Sequence, residues 1–177
     1  MSADSDRLAA DQPRPRRLLE DGLLTGLVGA GILAAWFLAI DVLRGEPLIT
    51  PSVLSAVVFD GGTVADAVVT MKDVFAYSGL HVILFLIVGA CMALMFKEFE
   101  VAPNIGMALL LLFVLGEVIL FGIQVAMMEE VLGTIGQWQT AVGNTLSAVA
   151  MFWFLMRRYP GSLSYLVTEW HARPALR

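Results

Sequence analysis

Glu117 is the residue whose position most needs a chemical explanation. It lies near the middle of an apolar stretch that runs from Gly106 to Met128. A charged carboxylate at the centre of a bilayer costs about 2.5–3.5 kcal/mol on insertion scales, so such residues are paired, protonated or part of an ion pathway. The chemistry open to Glu117 is therefore proton or cation binding, or pairing with a polar side chain of a neighbouring helix.

Few other polar side chains lie in the apolar segments of the chain. Tyr77 and His81 are four residues apart, so they share one face of a helix. At a rise of about 1.5 Å per residue, His81 lies about 10 Å and Glu117 about 16 Å from the outer ends of their segments, which leaves them within reach of each other. We therefore predict an intramembrane polar seam of five residues: Glu117, His81, Tyr77, Gln124 and Asn144.

The composition of this seam favours a structural role over a proton path. Proton paths usually link several acids or histidines across the bilayer, whereas the inner half of each apolar segment here holds no polar chain of that kind. We interpret Glu117 as a buried carboxyl, protonated or paired, that fixes helix contacts. The alternative is that Glu117 couples or selects ions in a small transporter or channel.

His81 has a structural and a ligand-binding interpretation. A hydrogen bond to a neighbouring helix is the favoured role, because polar residues often join transmembrane helices in this way. The alternative is that His81 ligates a single chlorophyll-type pigment or another metal, or contacts a quinone or a lipid. The sequence has no metal-ligand spacing and no soluble-enzyme motif, so we predict no catalytic residue, no metal site and no required cofactor.

The elements that position these residues are four long apolar segments. The chain has 177 residues and is 58% hydrophobic and only 15% charged, whereas soluble domains carry about 25% charged residues. Each segment supplies the roughly 20 apolar residues that a span needs, and backbone groups in lipid must be satisfied internally. We therefore predict an all-α integral membrane bundle within residues 18–158, with four transmembrane helices at about 22–43, 74–96, 104–128 and 134–156.

The distribution of basic residues predicts the orientation. Cytoplasmic loops of membrane proteins carry an excess of Lys and Arg. If the N-terminus is inside, nine of the 11 basic residues lie inside and only Arg44 and Lys72 lie outside. We therefore predict a multi-pass membrane protein with both termini in the cytoplasm.

The segments outside the spans have their own patterns. Residues 1–17 form a polar, proline-punctuated tail. In the outer loop 44–73, Thr50 is predicted to be the N-cap of a short outer-surface helix with Pro51 in its first position. A second amphipathic helix is predicted to begin at Thr63 and to lie on the surface or extend the second span. The cytoplasmic tail 159–177 is predicted to hold a short interfacial helix.

Small residues predict where the first helix packs. Four of them recur at steps of four and form a stripe that lets helices approach closely: Gly22, Gly26, Ala30 and Ala34. Asp41, at the outer end of the same helix, is expected to face headgroups or a loop amide. The single cysteine, Cys91, is expected to be a small packing residue in the second span.

The segment from Trp36 to Gly61 resembles a segment of uncharacterised small bacterial inner-membrane proteins. The shared pattern is W-F-x-x-x-D at the end of a span, a short G-x-P turn, and then T-P-x-x-L. The resemblance covers the first span and the outer loop. It implies a four-helix bacterial inner-membrane protein and no particular activity.

These features favour one function and leave two others open. We expect a non-catalytic accessory subunit of a larger inner-membrane complex, of the kind found in respiratory or photosynthetic assemblies, with membrane lipids and other membrane subunits as partners and no nucleic acid. The first alternative is a small proton- or ion-coupled transporter or channel that acts as a homo-oligomer through Glu117. The second is a membrane enzyme, or a pigment- or quinone-binding protein, that uses His81.

Overall fold

A computed structural model describes residues 15–61, 68–102, 104–109, 111, 112, 115, 122 and 136–159. This part of the chain is helical apart from short turns and contains no strand. Within it, two helices are long and apolar enough to cross a membrane, at Arg17–Arg44 and Met71–Phe99. By length and composition, the structure thus supports an all-α protein with two candidate membrane-spanning helices.

Four helices and one π-helical turn make up the ordered framework. Helix α1 spans Pro15–Arg44, and helix α2 spans Ile49–Ser55 and continues into a π-helical turn at Ala56–Asp60. Helix α3 spans Met71–Val101 and helix α4 spans Gln137–Arg158. Further helical residues lie at 104–109.

Local sequence explains where these helices begin and end. Helix α1 begins at Pro15. The N–H groups of a first helical turn have no partner within the helix, so proline, which lacks an N–H, loses no hydrogen bond there. It ends at Arg44, before Gly45 with a φ of 80°, a conformation that glycine adopts without a steric penalty. Thr70 caps α3, because its hydroxyl oxygen accepts a hydrogen bond from the backbone N–H of Asp73 at 3.2 Å.

Helix α1 lies at the centre and runs antiparallel to both α3 and α4. Along α1, successive contacts move backwards along α3, from Ala90 beside Gly22 to His81 beside Ala30. Contacts with α4 run backwards in the same way, from Arg158 to the start of that helix. We call the end of the bundle that holds Asp21 and Arg158 the Asp21 end, and the opposite end, which holds α2, the Asp41 end.

Glycines allow α1 and α3 to pack backbone to backbone. A Cβ atom built on Gly22 would lie 2.8 Å from the Cα of Ala90, and one on Gly26 would lie 2.7 Å from the Cα of Leu86. A Cβ on Gly89 of α3 would lie 2.7 Å from the Cα of Gly26. Real Cβ atoms do not approach other atoms this closely, so this interface depends on hydrogen in place of a side chain.

The other face of α1 packs on α4 through a second set of small residues and hydrogen bonds. The hydroxyl of Ser147 donates to the carbonyl oxygen of Gly29 at 3.0 Å. The indole N–H of Trp36 donates to the carbonyl oxygen of Gln139 at 2.9 Å. Gly143 of α4 makes room for the Trp36 ring. Polar groups thus fix the register of α4 along α1 at two depths.

An apolar cluster and a buried carboxylate close the Asp21 end. The cluster joins α3 to the end of α4 through four buried residues: Ala93, Phe96, Leu155 and Tyr159. Beside it, the Asp21 carboxylate accepts hydrogen bonds from the Arg158 guanidinium at 2.9 Å and from the Tyr159 hydroxyl at 3.1 Å. These bonds tie the start of α1 to the end of α4.

The helices differ from the predicted spans in several respects. Helix α1 begins at Pro15, inside the predicted tail 1–17, and α3 is longer at both ends than the predicted span 74–96. Helix α4 is close in length to the fourth predicted span. It also contains polar residues such as Asn144, and it is not one of the two helices that are apolar enough to cross a membrane. Most of the third predicted span, 104–128, lies outside the described residues.

Two local predictions were wrong, and one alternative is removed. Thr50 is not an N-cap, because α2 begins at Ile49 and its capping position is Leu48, which has a φ of 68°. The helix predicted to begin at Thr63 lies largely outside the described residues, but it does not extend α3 continuously, because residues 68–70 are not helical. Cys91 is exposed on α3 rather than packed between helices. The predicted interfacial helix in 159–177 falls almost entirely outside the described residues.

Candidate functional site

A cleft of about 360 Å³ lies between α1, α2 and α3 at the Asp41 end. Helix α1 supplies aliphatic side chains and Phe37 to its wall, and Leu48 lines it together with Thr50, Pro51 and Leu54 of α2. Helix α3 supplies three of the four polar side chains, and Thr50 is the fourth. The lining residues of α3 are Val74, Tyr77, Ser78, His81 and Val82.

The Asp41 carboxylate holds α2 over this cleft. Asp41 is fully buried at the end of α1. One carboxylate oxygen accepts the backbone N–H of Thr50 at 3.0 Å, and the other accepts the Thr50 hydroxyl at 2.7 Å. The first N–H groups of a helix have no partner within that helix, so Asp41 supplies from α1 the acceptor that Leu48, in the capping position, cannot provide.

The far end of α2 is tied to the start of α3. The hydroxyl of Ser55 donates to the carboxylate of Asp73 at 3.3 Å, and Thr70 also hydrogen-bonds to that carboxylate. Val53, which is buried in α2, packs against Phe37 of α1. The short helix is therefore held at both ends by carboxylates that belong to its neighbours.

His81 lies deep in the cleft and bonds to α1. Its Nε2 atom is 3.2 Å from the carbonyl oxygen of Ala30. A carbonyl oxygen only accepts hydrogen bonds, so Nε2 carries the proton, and Nδ1 of the neutral ring is left as an acceptor. The ring lies between those of Tyr77 and Phe85, with centroid distances of 6.2 Å and 4.7 Å.

Three of the five residues of the predicted polar seam belong to the described part of the chain. Tyr77 and His81 lie together on α3, as their spacing requires. Asn144 is exposed on α4, and no contact among the described residues joins it to His81. Glu117 and Gln124 lie outside the described residues. The partner of His81 within the described part of the chain is thus a backbone carbonyl of α1.

The predicted stripe on α1 faces α3 and the cleft. Gly22 and Gly26 meet the backbone of α3, and Ala30 provides the carbonyl oxygen that receives the His81 hydrogen bond. Ala34 is exposed and lines the cleft. The stripe therefore changes along its length from a packing surface into one wall of the cleft.

Comparisons with protein-family models, with curated proteins and with solved structures give no match to this chain. The resemblance of Trp36–Gly61 to small bacterial membrane proteins thus stays a prediction. The site has to be interpreted from its own residues.

The sequence analysis missed one residue of the cleft and one polar contact at the opposite end of the bundle. Ser78 lines the cleft beside Tyr77, and its position three residues before His81 on a helix could have placed it on that face. Asp21 pairs with Arg158 and Tyr159, which lie 137 and 138 positions later in the sequence. No local sequence pattern predicts such a contact. No group of three or more His, Cys, Asp or Glu residues is placed to hold a metal within the described part of the chain.

Proposed function

We propose that this chain is a non-catalytic accessory subunit of a larger bacterial inner-membrane complex, of the respiratory or photosynthetic kind. The observation that supports this proposal is the use made of polar side chains between the helices. Asp21, Trp36, His81 and Ser147 each bond to an atom of a different helix. Their hydrogen-bonding capacity is used to hold the helices in register, which is the task of a structural subunit.

The apolar exterior of the helices suits such a setting. Large apolar side chains project outwards from all three long helices and are about half exposed, among them Leu27, Ile83, Ile87, Phe152 and Trp153. In water this surface would favour association, because contiguous apolar patches of this kind mark interaction surfaces. In a membrane the same side chains face lipid or the apolar side chains of other subunits.

The order of the helices supports the proposed four-span arrangement. Helices α3 and α4 are both antiparallel to α1, so Ala102 and Gly136 lie at opposite ends of the bundle. Helix α4 is 22 residues long, which corresponds to about 33 Å at the rise of an α-helix. The ends of α3 and α4 at Ala102 and Gly136 are thus separated by a similar distance, which is the distance that the third of four proposed spans would cover.

The basic residues support the proposed orientation. Arg17, Lys97, Arg157 and Arg158 belong to the helix ends that meet at the Asp21 end. Arg44 and Lys72 belong to the helix ends at the Asp41 end. Since cytoplasmic ends of membrane helices carry an excess of Lys and Arg, we place the Asp21 end in the cytoplasm and the cleft towards the outer side.

Purification from native membranes tests the proposed role. A tagged chain extracted in mild detergent is expected to co-purify with other membrane proteins in fixed stoichiometry, measured by quantitative mass spectrometry, because its apolar exterior would be covered by them. Membranes that carry the untagged chain provide the control. Recovery of a homo-oligomer without other proteins would contradict the accessory role and favour the transporter or channel in which Glu117 is the key residue.

Cysteine labelling tests the orientation. In a Cys91→Ser background, which removes the single cysteine, we place one new cysteine by Glu46→Cys at the Asp41 end and another by Arg17→Cys at the Asp21 end; both positions are exposed. A membrane-impermeant maleimide is expected to label Glu46→Cys in cells with a permeable outer membrane, and Arg17→Cys only after the inner membrane is opened. The reverse pattern would overturn the orientation, and equal labelling of both would argue against a spanning α1.

A further inference from the structure

The wall of the cleft at the Asp41 end is apolar except for four polar side chains, three of them on α3. Tyr77, Ser78 and His81 all line it within one stretch of α3. Thr50, which also lines it, is occupied by its bonds to Asp41. Among the described residues, neither the Tyr77 hydroxyl nor the Ser78 hydroxyl has a hydrogen-bond partner. Polar groups in an apolar setting are unfavourable without one, so these hydroxyls are suited to a ligand.

The hydrogen-bonding character of these groups defines what would complement them. Each hydroxyl can donate or accept, whereas His81 offers only the acceptor Nδ1, because its Nε2 proton is given to Ala30. A complementary ligand therefore presents a carbonyl oxygen to the hydroxyls. It can also present a hydroxyl to Nδ1. A hydrocarbon chain would satisfy none of these groups.

The size and opening of the cleft define the shape of the ligand. A dry cavity of about 150 Å³ is sufficient to bind benzene, so about 360 Å³ admits one substituted six-membered ring and the beginning of a tail. Phe37 and Tyr77 also line the cleft, so aromatic side chains are available there to pack against a ring. Leu27 and Leu38 line the cleft and are 50% and 44% exposed, so the cleft opens along α1 onto an apolar exterior.

We propose that this cleft binds the head ring of a lipid-soluble quinone, in its oxidised and its reduced form. A quinone carbonyl accepts a hydrogen bond from Tyr77 or Ser78, a quinol hydroxyl donates to Nδ1 of His81, and the tail leaves past Leu27 and Leu38. The assignment concerns binding only and includes no electron transfer. It does not rest on the accessory-subunit role, because the isolated chain contains the whole cleft.

Filling the cleft is the first test. The full chain in mild detergent is titrated with a short-tailed benzoquinone, and bound quinone is measured by equilibrium dialysis. Ala34→Phe, which places a ring in the cleft, is expected to abolish saturable binding. Ala35→Phe is the matched control, since Ala35 is equally exposed on α1 but does not line the cleft; it is expected to bind as the unaltered chain does. Equal binding by both variants would overturn the assignment.

Removing the hydroxyls is the second test. The double variant Tyr77→Phe and Ser78→Ala removes both possible donors to the quinone carbonyl and keeps the shape of the wall. It is expected to bind the quinone up to about ten-fold more weakly, as the loss of one hydrogen bond predicts. Palmitate, which has the apolar tail without the ring, is expected not to displace the quinone. Unchanged affinity in the double variant, or displacement by palmitate at equal concentration, would show a site for acyl chains and overturn the proposal.

Discussion

Replacing Asp41 by alanine is expected to release α2 from the bundle and to lower the free energy of unfolding by about 2–4 kcal/mol. The carboxylate is fully buried and receives both the backbone N–H and the hydroxyl of Thr50. Its removal loses two hydrogen bonds to a charged group and leaves the Thr50 N–H without its acceptor. The measurement is reversible unfolding in mixed detergent micelles, followed by circular dichroism.

Two control variants test whether this effect comes from the hydrogen bonds of Asp41 or from the loss of an acidic side chain in general. Asp41→Asn keeps an oxygen acceptor in the same place and is expected to cost about 1 kcal/mol, because a neutral acceptor makes weaker hydrogen bonds. Glu46→Ala removes a neighbouring exposed acid and should leave stability unchanged. Hydrogen exchange of the Thr50 and Ser52 amides should accelerate in Asp41→Ala. Protected amides in that variant would show that α2 is held by packing alone.

Gly26→Ala is expected to destabilise the contact between α1 and α3. The new Cβ atom would lie 2.5 Å from the carbonyl oxygen of Phe85 and 2.7 Å from the Cα of Leu86, and both are backbone atoms that cannot rotate away. Overfilling a packed interface usually costs about 1–3 kcal/mol. The two helices must therefore separate, although alanine is by itself the better helix former.

Gly31→Ala is the matched control for this substitution. Gly31 lies on the same helix, and a Cβ atom there meets nothing within 4 Å. Alanine in a helix interior is favoured over glycine by about 1 kcal/mol, so Gly31→Ala is expected to be neutral or slightly stabilising. The two variants should differ by about 2–4 kcal/mol in detergent unfolding. Similar stabilities would show that the backbones of α1 and α3 do not pack as closely as described.

Periodic features of the sequence predicted much of what the structure describes. Runs of apolar residues placed α1 and α3 to within several residues at each end, because a long apolar run without helix-breaking residues favours one continuous helix. Helical spacing placed Tyr77 beside His81, and steps of four placed Gly22 and Gly26 on one face of α1. In each case the pattern lies within a single helix.

Features that join distant parts of the chain could not be predicted in this way. Gly89 faces Gly22 and Gly26 only because α3 packs antiparallel on α1, and no local pattern marks it. The prediction that Asp41 faces headgroups or a loop amide is confirmed for the amide, because Asp41 accepts the N–H of Thr50 in the outer loop. The left-handed conformation of Leu48 in the intervening turn is not suggested by its residue type. His81 hydrogen-bonds to the backbone carbonyl of Ala30. The sequence does not indicate which backbone carbonyl of a neighbouring helix would lie beside His81. The role of Glu117 stays a prediction.

The central position of α1 has a consequence for how the chain is made. Helix α1 leaves the ribosome first, but Arg158 and Tyr159, which neutralise and cover Asp21, are synthesised more than a hundred residues later. At ordinary rates of translation, of about 5–20 residues per second, that delay is on the order of ten seconds. The glycines of α1 that pack on α3 are covered earlier, once residues 85–90 have been made. Asp21 alone waits for α4, so the contact that joins the start of α1 to the end of α4 forms last among those described.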